Sequence, residues 1–133
     1  MEGRIVTIPF HGTVAASSRK TLKSQRIDYP VKMRKIRASF APGCNRLLQL
    51  SFFISPDDET PTTDFPTGVN VFAELGESIY LVGDDNVVDL EHESESLSGG
   101  VYIKLHAYNT DIFSHTIDAQ ATIEVMPWQG LEK

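Results

Sequence analysis

The strictest constraint on this chain is an alternation running from Val101 to Val125. Val101, Ile103, Leu105 and Ala107 share one parity, and Tyr102, Lys104, His106 and Tyr108 take the other. The rhythm returns at Ile117, Ala119, Ala121, Ile123 and Val125, set against Thr116, Asp118, Gln120, Thr122 and Glu124. Successive side chains of a strand leave on opposite sides, so each half predicts a strand with one dry and one wet face. The link from Asn109 to His115 is rich in Asn, Thr, Asp and Ser, residues that suit turns. The pair is therefore expected to form a hairpin, one wall of a sandwich.

The rest of the chain reads the same way. Arg4 to Phe10 puts Val6, Ile8 and Phe10 on one face, and Pro9 cannot donate to a ladder. That strand should lie at a sheet edge or stop there. His11 to Ser18 is small and polar with a bend expected at Gly12, and Arg19 to Gln25 is expected to be a basic loop. Ile27 to Phe40 is a long extended run. Its apolar parity switches between Val31–Met33 and Ile36–Ala38–Phe40, which predicts a bulge near Arg34–Lys35. Leu47 to Ile54 is apolar on both faces, with Leu47 and Phe53 opposite Leu48, Leu50, Phe52 and Ile54. Such a strand is central or meets a partner.

Three prolines and four acids make Ser55 to Gly68 irregular. Short strands are expected at Val69–Leu75, Ser78–Val82 and Val87–Leu90, with a turn at Gly83–Asn86 and an exposed acidic loop at Glu91–Gly100. The sum is an all-β chain of about eight strands with little or no helix. The expectation is an antiparallel β-sandwich, wound as a single jelly roll. Its length of 133 residues fits one domain, 1–133, with short arms at the N-terminus and at 126–133.

Charge is segregated along the chain. From Arg19 to Arg46 nine basic residues face one acid, Asp28; from Leu47 onward two basic residues face sixteen acids. Lys32, Arg34, Lys35 and Arg37 form a basic stripe on the long extended run. It could pair with an acidic strand of the same chain, or with acidic loops of another copy in a head-to-tail contact. Nucleic acid ranks behind both, because the acidic remainder would repel phosphates and aromatic interleaving is thin.

Signatures of chemistry are weak. His106, Asp111 and His115 match no metal-binding spacing, the acids of 57–64 lack the glycine-centred calcium loop, and Asp84-Asp85-Asn86 reads as a turn. Cys44 has Arg46 near it but no local histidine, and there is no nucleophile elbow or phosphate-cradling glycine loop. No enzyme, metal or cofactor is therefore expected. The longest apolar run, 47–54, is far short of a membrane span, and Met1–Ile5 lacks the basic-then-apolar start of a signal peptide. The expected location is a virion or the cytoplasm.

These features predict a non-enzymatic structural or assembly protein. The expected form is a virion-type sandwich subunit, such as a phage capsid, decoration or tail protein, that contacts copies of itself or other particle proteins. The expected contact residues are Lys32, Arg34, Lys35, Arg37, Phe53, Trp128 and Leu131. The last two follow Pro127, beyond the final strand. The alternative is a carbohydrate-binding or other ligand-binding sandwich that uses Tyr80, Tyr102, Tyr108 and Trp128.

Overall fold

The structure, a computed structural model, describes residues 4–29, 31–40, 42–43, 47–60, 66, 68–71, 81–95 and 100–125. Eight strands run in the order β1 (Arg4–Val14), β2 (Ser18–Lys23), β3 (Val31–Phe40), β4 (Leu48–Ser55), β5 (Val69–Asn70), β6 (Asn86–Glu95), β7 (Tyr102–Asn109) and β8 (His115–Val125). No helix occurs among the described residues. The strands form two four-stranded antiparallel sheets, β1-β8-β3-β6 and β2-β7-β4-β5. First pairs with last, second with seventh, third with sixth and fourth with fifth. The chain thus forms one nested antiparallel ribbon whose halves are shared between two walls.

The expected β7–β8 hairpin does not form. These strands lie in opposite sheets, and residues 110–114 carry the chain from one wall to the other. Alternation shows that a strand has one dry face. It does not say whether two such faces lie side by side or look at each other across a core. Here they face each other: Ile103, Leu105 and Ala107 from β7 share one buried cluster with Ile117, Ala119, Ala121 and Ile123 from β8. Phe10 of β1 and Phe52 of β4 meet edge to face across the same core, with ring centroids 5.9 Å apart.

Three other expectations change. The first strand continues through Gly12 to Val14, because β8 offers partners along its whole length. Pro9 is accommodated since β1 is an edge strand. The basic segment Arg19–Gln25, expected as a loop, is largely β2, recruited by pairing with β7 rather than by any pattern of its own. The acidic stretch after Leu90, also expected as a loop, continues β6 through Glu95 opposite Lys32. The Gly83–Asn86 turn is present, with Asp85 at φ 51 and the Asn86 side chain accepting from the Asp84 amide at 2.7 Å. Gly68, which leads into β5, has φ 116, and a Cβ there would lie 2.7 Å from the Ser55 Cα. Only glycine fits that close approach.

The expected bulge is present. Partners of β3 step from Met33↔Ile123 to Lys35↔Thr122, leaving Arg34 as the extra residue. The insertion keeps Val31 and Met33 on the same buried side as Ile36, Ala38 and Phe40. It also gathers Lys32, Lys35 and Arg37 on the opposite face, resolving the parity conflict in the sequence.

This geometry separates the length of β3 from its chemistry. Arg34→Ala removes an exposed ion pair and should cost under about 1 kcal/mol. Deleting Arg34 should cost several times more, because a one-residue slip turns the buried positions on one side of the deletion outward. Urea denaturation of both variants checks the difference; equal midpoints would mean that the bulge does not hold the register.

Candidate functional site

The basic stripe is met by acids from its own sheet. β3 lies between β8 and β6, which place Glu124 and Glu95 opposite Lys32, Glu91 opposite Lys35, and Asp89 opposite Arg37. Arg34 Nη1 donates to Glu124 Oε1 at 2.6 Å, and Arg37 Nε lies 4.0 Å from Asp89 Oδ1. Charge segregated in sequence is therefore compensated in space. Exposed pairs of this kind contribute about 0–1 kcal/mol each, so they tune pairing rather than create it.

The outer face of the second sheet departs from expectation. Lys104 and His106 were expected on a wet face, yet they are buried together with Thr21, Ser51, Ser55 and Phe53. Phe53, read as a contact for a partner, is covered by the chain itself. Lys104 has no exposed surface, and its ammonium donates to Asp57 Oδ1 at 2.8 Å. Lys23, one strand over, reaches Asp58. The acids after β4 thus lie over this face as counter-ions to lysines. Arg19 Nη1 lies 3.1 Å from His106 Nε2, and the other ring nitrogen lies 2.8 Å from Thr21 Oγ1. A guanidinium can only donate. The ring therefore accepts at Nε2 and is neutral, and its Nδ1 proton goes to Thr21. The guanidinium of Arg19 also stacks 4.0 Å from the Tyr108 ring centre, and Lys23 lies over Tyr102 at 5.5 Å. Two of the tyrosines read as sugar platforms are thus already faced by cations.

The end of the sandwich formed by residues 15–17, 47 and 109–115 has a different character. Asn109, fully buried, donates through Nδ2 to the carbonyls of Ala15 and Phe113 at 3.2 and 2.7 Å. Its Oδ1 accepts from the Asp111 amide at 2.9 Å. The Asp111 carboxylate accepts from the Ile112 amide at 2.6 Å and from His115 Nε2 at 2.8 Å. The Asp111 carbonyl in turn accepts from the Ser17 amide, and the Thr110 amide and hydroxyl both donate to the Leu47 carbonyl. This fastened turn presents Ile112 and Phe113 to solvent at 76% and 66% exposure, the highest among the large apolar side chains described. Leu47, tied to the same turn, is also exposed. The polar composition that marks this link as a turn does not by itself point to an apolar tip. Two adjacent apolar residues inside a polar link were the available signal.

His115 and Asp111 pair, but His106 binds elsewhere, and no cluster of three metal-ligating side chains occurs among the described residues. The Asp84–Asn86 acids and amide serve their turn, with Asp84 Oδ1 also accepting from the Gly43 amide. Cys44, Arg46, Tyr80, Trp128 and Leu131 lie outside the described residues, as do Pro61–Phe65 of the acidic loop. A cleft of about 420 Å³ opens at the other end of the molecule. Its walls include Val6 and Ile8 of β1, Ile27 and Tyr29 of the β2–β3 link, and Ile123 and Val125 of β8. Arg26 and Asp28, paired at 2.9 Å, also line it.

The fold defines an all-β sandwich whose two most exposed large apolar side chains, among the described residues, sit in a fastened turn. No family model matches the chain, and no curated protein matches it. Among solved structures it is similar to the VP2 subviral particle of infectious bursal disease virus, with TM-score 0.45, 9% identity, and 96% of this chain against 34% of that one. It is also similar to dimeric latent PorU from Porphyromonas gingivalis, with TM-score 0.40, 8% identity, and coverage of 100% and 15%. A family two carbohydrate esterase from Cellvibrio japonicus gives TM-score 0.31, 12% identity, and coverage of 90% and 36%. The chain spans between 15% and 36% of the length of these three. At such scores the likeness carries nothing about what this chain binds. Among the described residues no helix is long and apolar enough to cross a membrane.

Two measurements test this geometry. Asp57→Ala leaves the Lys104 ammonium buried without its counter-ion and should cost about 1–3 kcal/mol, discounted because Asp57 is partly exposed. Lys104→Met in that background should restore part of the loss in urea denaturation. The second concerns pH. The hydrogen bond from His115, helped by the Ile112 amide, holds the Asp111 carboxyl below the ordinary carboxylate value against the opposing effect of burial. A depressed folded value stabilises fully above the unfolded pKa of about 3.9, and that contribution is lost as pH falls through the folded value. Proton exchange at the Ile112 amide should therefore report loosening of the turn below pH 4, and Asp111→Asn should remove that pH dependence.

Proposed function

We propose that this protein is a non-enzymatic structural subunit, a single jelly-roll sandwich that associates with copies of itself or with other proteins of a larger, virion-type particle. The nested pairing of first strand with last, second with seventh and third with sixth is the winding such a fold requires. The observation that carries the proposal is the Ile112–Phe113 tip. Two large apolar side chains are held outward by a turn whose polar groups bond one another. A side chain exposed by mere mobility would not need that scaffold, whereas a contact residue gains from being ordered before it binds. The charged stripe, met by acids in its own sheet, supports association less than this tip does.

The expected behaviour is concentration-dependent association that survives salt. Screening weakens contacts between exposed charges but leaves apolar contacts intact or strengthens them. Sedimentation velocity across a concentration series, at low and at high salt, checks this. A strict monomer throughout, with no partner protein retained, would remove the proposal. Association abolished by salt would move the contact from the tip to the charged faces.

A further inference from the structure

We infer that the Ile112–Phe113 tip of one copy seats in the cleft between β1 and the β2–β3 link of the next, giving a head-to-tail contact; this rests on the self-association proposed above. The two features lie at opposite ends of the same molecule. The tip follows β7 beside the Val14↔His115 end of β1, and the cleft uses Val6 to Pro9 together with Val125 at the far end of β8. Along β1 they are five to eight residues apart, about 17–27 Å at the rise of an antiparallel strand. A tip fastened by Asn109, Asp111 and His115 cannot cover that distance to its own cleft. A second copy can present it.

Chemistry and size both match. The tip is one aromatic and one branched aliphatic side chain. The cleft walls offer the half-buried Val6, Ile8 and Ile27, with Ile123 and Val125 buried behind them and Tyr29 still 43% exposed at its side. Its volume of about 420 Å³ falls within the range of about 300–1,000 Å³ typical of pockets that take compact apolar ligands. The charged groups among its lining residues, Arg26 and Asp28, are already paired with each other, so an uncharged tip leaves neither without a partner. A knob and a socket on different surfaces make a heterologous contact, which closes into a ring or continues as a filament depending on the rotation between copies. The contact is small beside a standard interface, so an isolated pair of copies should associate weakly and gain from repetition.

The test places a photoreactive residue, Phe113→p-benzoylphenylalanine, in the full chain, with illumination followed by peptide mapping. Attachment between copies to residues 6–9 or 24–29 supports the contact. Two surface variants, Phe113→Ser and Tyr29→Glu, should each weaken self-association by about tenfold or more, as loss of a buried aromatic anchor does. Their mixture should form a capped heterodimer, since one retains a socket and the other a knob. If the wild type associates but cross-links elsewhere, and both variants associate normally, the knob-and-socket contact is wrong while self-association stands. If the wild type neither associates nor cross-links, both fall.

Discussion

The structure depends on one extra residue in β3. That strand is held on both sides, by β8 and by β6, and its outer neighbours leave no freedom to twist a misaligned half away. Val31 and Met33 arrive in one parity and Ile36, Ala38 and Phe40 in the other, and all five must reach the same core. Arg34, the extra residue at the register shift, absorbs the difference. The same insertion brings Lys32, Lys35 and Arg37 to a common outer face, where acids from both neighbouring strands stand opposite them. Packing and charge compensation therefore share one cause. Without the bulge, the core would lose residues and the stripe would be split between two faces.

This explains why the segregated charge misleads when read along the chain. A basic run followed by an acidic remainder resembles a molecule with a sticky pole. Antiparallel nesting brings residues near 35 beside residues near 90 and 120, so the poles meet inside one sheet. The remaining polar residues tell the same story on the other wall, where Lys104 and His106 lie under cover with Asp57, Arg19 and Thr21 as partners. Polar side chains at alternate positions of β7 look solvated in sequence. They are buried because neighbours far along the chain satisfy them.

The legible part of the fold was the part encoded by parity. The dry faces of β3, β4, β7 and β8 are visible because each alternates or runs apolar, and Pro9 correctly marks an edge. The illegible part was pairing. β2 has a single apolar residue, Leu22, only partly buried against the core, and becomes a strand because β7 supplies a ladder. β6 runs into Glu91–Glu95 because β3 offers a ladder as far as Lys32. β7 and β8, adjacent in sequence, separate into facing walls because a nested ribbon must fold over its core. No local pattern records which of two apolar faces a third strand will meet. The site was harder still: Phe53 looked outward by parity and is covered, while Ile112 and Phe113 sat in a link whose composition announced a turn and hid what the turn displays.

The distribution of partners then limits how such a molecule can associate. A paired surface charge has little to offer a second copy, since a new contact must first break or share the old one, and exposed pairs return little free energy. Apolar groups left in water carry no such debt to a partner. Among the large apolar side chains described, the two greatest exposures, Ile112 and Phe113, fall on the tip at one end; Ile5 of β1 and Val87 of β6 come next, and then Tyr29 beside the cleft at the other end. Contacts made end to end leave the broad sheet faces free for lateral neighbours or for a covering layer. A sandwich whose inner faces make the core, and whose two most exposed apolar side chains among those described lie together at one end, fits the end-to-end contact proposed above.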